Sequence, residues 1–263
     1  MHSLQILQEF KGSSEQRIQA VFQLLLDELP DSFNVLAKTL HTDPSPIVRH
    51  EAAFVLGEKN SFIGVQPLIH AIYNDPNKFV VHESALALAN LGIIGSPHSD
   101  KILNELLNDK DRDIIDTAEI ALQRLHNKKN KILKNSGISA SKDILRDLSN
   151  SNKERRIQAA FVLMNDASAD SVSCLIEALH KEPSAIVKHE IVFSLGECIA
   201  YQVVPDLIKT LEYDTNDFVI HETLLALGTL GDSIAKDSIK NFLSHPNPNI
   251  AESAEIALDR LLH

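Results

Sequence analysis

The stretch DSFNVLAKTLHTDPSPIVRHEAAFVLGEKN, residues 31–60, contains two helical segments joined by a turn. The sequence DPSP marks the turn, because Ser45 is a favourable N-cap and Pro46 suits the first position of a helix. The first helix is therefore expected to end near His41 and the second to begin at Pro46. A chain that repeats this unit would be all-α.

The second helix of this unit has one apolar face. Its apolar residues recur at i, i+4, i+7 and i+8, which is the helical period. They are Val48, Ala52, Val55 and Leu56. Gly57 is expected to close the helix near its C-terminus. A pair of this length, with Asp/Pro turns and small core alanines, resembles a HEAT-type repeat. Such pairs stack into a solenoid because none buries its apolar face alone.

The unit recurs along the chain, and the chain is itself a tandem duplication. His50 and His82 have counterparts 139 residues later, at His189 and His221, and RIQAVFQL at residues 17–24 recurs as RIQAAFVL. We count about four helical pairs in each half, so the sequence predicts an all-α solenoid of two duplicated halves. The second helices of the eight pairs are expected to begin near Glu15, Pro46, Asn77, Asp111, Lys153, Ser184, Asn216 and Asn247.

A Lys-, Asn- and Ser-rich stretch separates the two halves. It reads HNKKNKILKNSGISASKD at residues 126–143, a composition typical of a flexible linker. We assign residues 1–126 to the N-terminal half, residues 127–142 to the linker and residues 143–263 to the C-terminal half. A flexible joint would allow the two halves to face each other.

Composition and charge exclude several classes of protein. A net charge of -11 argues against binding to nucleic acid, which requires a basic face, but it permits a basic protein or a cationic small molecule as partner. No apolar run reaches the ~18 residues of a membrane span, and the N-terminus lacks the pattern of a signal peptide. The two cysteines do not form a disulfide framework, so we expect a cytoplasmic protein.

One dipeptide, His-Glu, stands at the same point of four second helices. The motifs are His50–Glu51, His82–Glu83, His189–Glu190 and His221–Glu222. Composition alone predicts about one such dipeptide, and the other eight histidines are never followed by Glu. The residue before the His changes in every copy while both motif residues are kept. This favours a shared chemical role over a fortuitous polar face.

Two histidines and a carboxylate from adjacent helices can bind one metal ion. Neighbouring helices pack about 8–10 Å apart, so each half offers two His and up to two carboxylates. This set suits non-haem Fe(II) and dioxygen chemistry, and zinc accepts the same ligands. If the halves face each other, two ions would lie close together, as two-metal catalysis requires. The residues alone leave open a di-iron oxidase, a two-metal zinc hydrolase and a non-catalytic HEAT scaffold.

The four motifs in their helical settings, VRHEAAFVLGE, VVHESALALANLG, VKHEIVFSLGE and VIHETLLALGTLG, resemble the deoxyhypusine hydroxylase family over nearly the whole chain. The resemblance implies a HEAT-repeat monooxygenase with two non-haem irons between its halves. Such an enzyme uses dioxygen to hydroxylate the deoxyhypusine side chain of a translation initiation factor.

The resemblance also implies a role for each motif residue. The implied ligands of one iron are His50, His82 and Glu83, and those of the other are His189, His221 and Glu222. Glu51 and Glu190 are implied to bind the substrate amine. The chain departs from the family at Leu86 and Leu225, where an acidic residue is frequent, and at Val81 and Ile220, which replace a basic residue. Because these departures lie on the motif helices, another amine-bearing substrate is the alternative.

Overall fold

The computed structural model describes residues 2–27, 29–92, 98–133 and 142–262. The chain divides into two compact units, Met1–Ser136 and Gly137–His263. Throughout the described residues the regular structure is helical, with no strand. The predicted all-α fold of helical pairs is therefore confirmed, and each unit is described by itself below.

The described residues of the first unit form eight α-helices. They are α1 (His2–Gln8), α2 (Ser14–Gln23), α3 (Pro30–Thr42), α4 (Pro46–Glu58), α5 (Val65–Asn74), α6 (Lys78–Leu91), α7 (Ser99–Leu106) and α8 (Arg112–Leu133). The second unit repeats this order. Its helices are α9 (Lys142–Asp147), α10 (Lys153–Asp166), α11 (Ala169–Lys181), α12 (Ala185–Glu197), α13 (Val204–Tyr213), α14 (Asp217–Leu230), α15 (Lys236–Lys240) and α16 (Pro248–Leu262).

Each even-numbered helix begins within one residue of its predicted start, because the caps are local. The Ser45 hydroxyl accepts a hydrogen bond from the backbone N–H of Val48 at 3.1 Å, and Pro46 occupies the first turn as expected. The Asn77 side chain caps α6 by accepting from the N–H of Phe79 at 3.0 Å. Phe79 itself is fully buried, so the same turn both starts the helix and anchors it in the core.

The even-numbered helices pack against one another in sequence: α4 on α6 and α6 on α8, and likewise α12 on α14 and α14 on α16. Small residues at the crossings allow close approach. A Cβ added at Gly57 would lie 2.7 Å from the Cβ of Ala87, and one added at Gly196 would lie 3.0 Å from the Cβ of Ala226. α4 ends at Glu58, close to the predicted end at Gly57. Gly57 is still within the helix, and its missing side chain makes room for α6.

Buried or partly buried ion pairs connect the first three helical pairs of each unit. A basic residue on an even-numbered helix reaches the acidic turn residue 26 positions later, in the pairs Arg17–Asp43, Arg49–Asp75, Arg156–Glu182 and Lys188–Asp214. The Asp43 carboxylate also accepts from the N–H of Ser45 at 2.9 Å, so one side chain ties the cap of α4 to the preceding pair.

The predicted linker, residues 127–142, begins within a helix. α8 continues to Leu133, and α9 starts at Lys142. Residues 134–141 lie outside the described residues. None of the described helices combines the length and the apolar character needed to cross a membrane.

Candidate metal centre

The four His-Glu motifs lie on four helices that pack in pairs, α4 with α6 and α12 with α14. In every one of these helices the His is the fifth residue and the Glu the sixth. All eight side chains have an exposed fraction of 8% or less. Because burial of imidazoles and carboxylates is costly unless they bind a partner, their shared burial indicates a built polar site in each unit.

In the first unit the imidazole of His50 lies between two carboxylates. Its Nε2 atom is 3.7 Å from Oε2 of Glu83 on the next helix, and its Nδ1 atom is 3.6 Å from Oε1 of Glu51. The second imidazole, that of His82, has its Nδ1 atom 2.7 Å from the hydroxyl of Thr117 on α8.

The second unit repeats this arrangement with shorter distances. Nε2 of His189 lies 3.4 Å from Oε2 of Glu222, and Nδ1 of His189 donates to Oε1 of Glu190 at 3.2 Å. Nδ1 of His221 lies 2.8 Å from the hydroxyl of Ser253 on α16. The rings of His189 and His221 are stacked, with centroids 6.4 Å apart, and their ligand atoms lie within 4.8 Å of one another.

In each unit the distance between the first histidine and the Glu of the next motif helix is close to that of two ligands of one metal ion. Metal–nitrogen and metal–oxygen bonds are about 2.0–2.2 Å long, so two ligands at tetrahedral or octahedral angles lie roughly 3.0–3.5 Å apart. The separation of 3.4 Å between His189 and Glu222 falls in this range, and that of 3.7 Å between His50 and Glu83 requires only a small side-chain rotation. The structure thus brings together His50 and Glu83 in the first unit, and His189, His221 and Glu222 in the second.

Glu51 and Glu190 take a position that the sequence did not predict. Each carboxylate lies next to the Nδ1 atom of the His that precedes it in the sequence. The predicted ligands Glu83 and Glu222 lie on the opposite edge of the same rings, next to Nε2. A carboxylate that accepts from Nδ1 orients a metal-binding imidazole and raises its basicity. The predicted role of both residues in substrate binding stays a prediction.

Sequence reasoning missed Thr117 and Ser253. They are the sixth residues of α8 and α16, so they occupy the place that Glu occupies in the motif helices. The signal was present in the repeats DTAEIALQRL and ESAEIALDRL, which keep a hydroxyl directly before the shared AEIAL. It does not point to a metal site by itself, because these helices carry no His-Glu motif.

Comparisons with known proteins agree with the fold and the motifs. The model of the HEAT repeats family matches residues 33–123 and 172–259, so the chain is a HEAT-repeat protein. Deoxyhypusine hydroxylase-B of Oryza sativa subsp. japonica is 29% identical over 244 residues, covering 83% of this chain and 78% of that protein. Deoxyhypusine hydroxylase of Schizosaccharomyces pombe is 30% identical over 248 residues, covering 83% and 76%.

A solved structure supports the same fold. The structure of human deoxyhypusine hydroxylase in complex with glycerol has a TM-score of 0.84 and 24% identity, covering 100% of this chain and 95% of that chain. Together with the curated relatives, these findings confirm the resemblance seen in the motifs. The chain belongs to the deoxyhypusine hydroxylase family, and it is an enzyme. Membership implies a metal cofactor, for which the buried His and Glu residues are the candidate ligands.

Proposed function

We propose that the protein hydroxylates the deoxyhypusine side chain of a protein substrate, a translation initiation factor, in a reaction that uses dioxygen. The observation that carries this proposal is the burial, in each unit, of two imidazoles and two carboxylates, one pair of which, His50–Glu83 or His189–Glu222, lies near ligand spacing. The reaction inserts one oxygen atom of O₂ into a C–H bond. The other oxygen leaves as water after taking two electrons and two protons, so a reductant is required.

We propose that each unit holds one iron ion. The ligands are His50, His82 and Glu83 in the first unit, and His189, His221 and Glu222 in the second. Two His and one carboxylate with open positions form the set that suits non-haem Fe(II). Iron, when bound, supplies the activation of dioxygen, and zinc is disfavoured because it has no redox chemistry.

Glu51 and Glu190 bind the cationic end of the substrate. A carboxylate has two oxygens, so one can accept from the Nδ1 atom of the neighbouring imidazole while the other accepts from an ammonium group. Exposed fractions of 8% for Glu51 and 6% for Glu190 place both carboxylates where an ion pair is weakly screened by water. The net charge of -11 also favours approach of a basic protein segment.

At two positions where the family frequently has an acidic residue, this chain has leucine. Binding of the substrate's cationic end therefore depends on Glu51 and Glu190. Leu86 and Leu225, which stand where an acidic residue is frequent, have exposed fractions of 2% and 4%. They belong to the apolar core of their helices and offer no charge to an amine. We therefore expect that neutralising Glu51 or Glu190 has a larger effect here than in a relative with additional acidic residues.

The test uses the full chain, freed of metal and reconstituted with Fe(II) under anaerobic conditions. A protein substrate carrying deoxyhypusine is then added with a reductant and ¹⁸O₂. We expect the substrate to gain one ¹⁸O atom only with the iron-loaded protein. Glu51→Gln should retain iron, because its amide oxygen can still accept from Nδ1 of His50, and it should raise the KM for the protein substrate. A protein that purifies colourless with zinc, and that leaves the substrate unchanged after iron loading, would refute the proposal.

A further inference from the structure

Two buried hydroxyl groups contact the histidines of the candidate metal centre from helices that carry no His-Glu motif. Thr117 on α8 and Ser253 on α16 are both fully buried. The Thr117 hydroxyl lies 2.7 Å from Nδ1 of His82, and the Ser253 hydroxyl lies 2.8 Å from Nδ1 of His221. The two contacts are equivalent in the two units, because both hydroxyls are the sixth residues of their helices.

The proton of each hydroxyl is already committed. Thr117 donates to the backbone carbonyl of Asp113 at 2.8 Å, and Ser253 donates to that of Asn249 at 2.7 Å. A hydroxyl has one proton and two acceptor lone pairs. Each hydroxyl therefore accepts from the imidazole, and the imidazole must carry its proton on Nδ1.

This accounting determines the tautomer of both rings. A neutral imidazole with its proton on Nδ1 has its lone pair on Nε2, and only a nitrogen with a lone pair can bind a metal. Neutral histidine in water favours the opposite tautomer, with the proton on Nε2. The hydroxyls thus oppose the intrinsic preference of the ring and direct the lone pair to the nitrogen that lies away from α8 and α16.

We propose that Thr117 and Ser253 are positioning residues that hold His82 and His221 in the tautomer and orientation required for metal binding. The assignment of the ion as iron rests on the proposed function, whereas the tautomer rests on the hydrogen bonds alone. Outer hydrogen-bond partners of this kind affect metal affinity or activity by about 10- to 100-fold. The last helix of each unit is then part of the metal centre, although it carries no His-Glu motif.

Four variants of the full chain separate this role from simple packing. Thr117→Val replaces the hydroxyl by a methyl group of similar shape, Thr117→Ser restores the hydroxyl, and Ser253→Ala removes it from the second unit. Thr210→Val is the matched control, because the Thr210 hydroxyl makes the same bond to a helix carbonyl, that of Asp206 at 3.0 Å, on a helix without a motif.

The first measurement uses the metal-free protein with ¹⁵N-labelled histidine. Two-bond ¹H–¹⁵N correlations distinguish the two tautomers of a neutral imidazole. We expect the Nδ1–H form for His82 and His221 in the wild type, loss of one of these in Thr117→Val and the other in Ser253→Ala, and recovery in Thr117→Ser. Wild-type rings with the proton on Nε2, or variants with unchanged tautomers, would overturn the inference.

The second measurement is an anaerobic titration with Fe(II) against a competing chelator. We expect Thr117→Val and Ser253→Ala each to weaken one of two ions by about 10- to 100-fold, while Thr117→Ser and Thr210→Val bind as the wild type does. Wild-type affinity in Thr117→Val and Ser253→Ala would overturn the inference even if the enzyme hydroxylates deoxyhypusine. Conversely, the expected affinities without hydroxylation would refute the proposed function and leave the inference standing.

Discussion

Replacing Gly57 and Gly196 by Ala tests how closely the motif helices are packed. The two glycines occupy equivalent places in α4 and α12, but their surroundings differ. A Cβ at Gly57 would lie 2.7 Å from Cβ and 2.8 Å from Cα of Ala87, whereas one at Gly196 would lie 3.0 Å and 3.3 Å from the same atoms of Ala226. Ordinary carbon contacts are about 3.5–4.0 Å. Gly57→Ala must therefore push α4 and α6 apart by close to 1 Å, because the backbone of Ala87 cannot rotate away.

The free energies of the two variants follow from two opposing effects. Overpacking costs about 1–3 kcal/mol, and replacing a glycine in the helix interior by Ala gains about 1 kcal/mol. We expect Gly57→Ala to destabilise the first unit by about 1 kcal/mol, with an upper limit of about 2 kcal/mol. Gly196→Ala requires a smaller shift, so its strain and its gain should nearly cancel.

Denaturant unfolding of the metal-free protein, with hydrogen exchange to assign the loss to particular helices, measures both effects. Separation of α4 from α6 also moves His50 away from Glu83. Gly57→Ala should therefore weaken metal binding in the first unit, whereas Gly196→Ala should not weaken it in the second. Equal free energies of unfolding for the two variants, or a more stable Gly57→Ala protein, would show that the helices do not approach as closely as we infer.

Three further predictions concern the ligands, an ion pair and a thiol. His82→Ala should lower the iron content from about two to about one per chain, as measured by elemental analysis, and a scaffold without a metal site would show no change. Arg17→Met leaves the buried carboxylate of Asp43 without its cation. It should lower the free energy of unfolding by about 3–5 kcal/mol, as measured by denaturant unfolding. Adding Asp43→Asn to the same chain should recover part of this loss. Burial, with the adjacent carboxylate of Glu197, raises the pKa of the Cys198 thiol. Because the thiolate is the reactive form, a variant with Cys198 as its single thiol should be alkylated more slowly at pH 8 when folded than in denaturant, and faster as the pH rises; equal rates at pH 8 would contradict this.

The helical pairs could be predicted because their signals are local or repeated. The cap at Ser45 and the proline after it lie within one turn of chain, so α4 begins where the sequence indicates. The His-Glu motifs were recognisable because the duplication displays the same frame four times. A helix brings its fifth and sixth residues to the same orientation each time, so the four motifs could be expected to occupy equivalent places.

Two details differ from the sequence-based expectation, one because of a tertiary contact and one because of local helix propensity. Gly57 has the sequence context of a helix end, but the approach of Ala87 determines its role. The division between the two units, at Ser136 and Gly137, lies within the predicted linker, but α8 continues into it as far as Leu133. Lysine is a good helix former, so a polar, charged composition does not by itself end a helix. A Lys- and Asn-rich composition therefore indicates that a stretch is exposed to solvent, but not where the helix ends.

The role of Thr117 required knowledge of which helix lies beside His82. The two residues are 35 positions apart, and nothing in the dipeptide Asp116–Thr117 points to a histidine. The internal repeats nevertheless contain the information in another form. His50 contacts the sixth residue of the next even-numbered helix, Glu83. His82 contacts the sixth residue of its own successor, Thr117, although through Nδ1, whereas His50 faces Glu83 through Nε2.

This rule of succession explains why the motif occupies only the middle helices of each unit. Stacked repeats are related by nearly the same rotation and translation. A histidine in the fifth position of one even-numbered helix therefore lies beside the sixth residue of the following even-numbered helix. Two histidines therefore require three helices. The third helix supplies a group that accepts a hydrogen bond from the second histidine without binding the metal ion. A hydroxyl that donates its own proton to the backbone can do this. α2 and α10 are the first even-numbered helices of the two units. Their fifth residues are the buried Ile18 and Ile157, so an apolar side chain takes the place of the imidazole there.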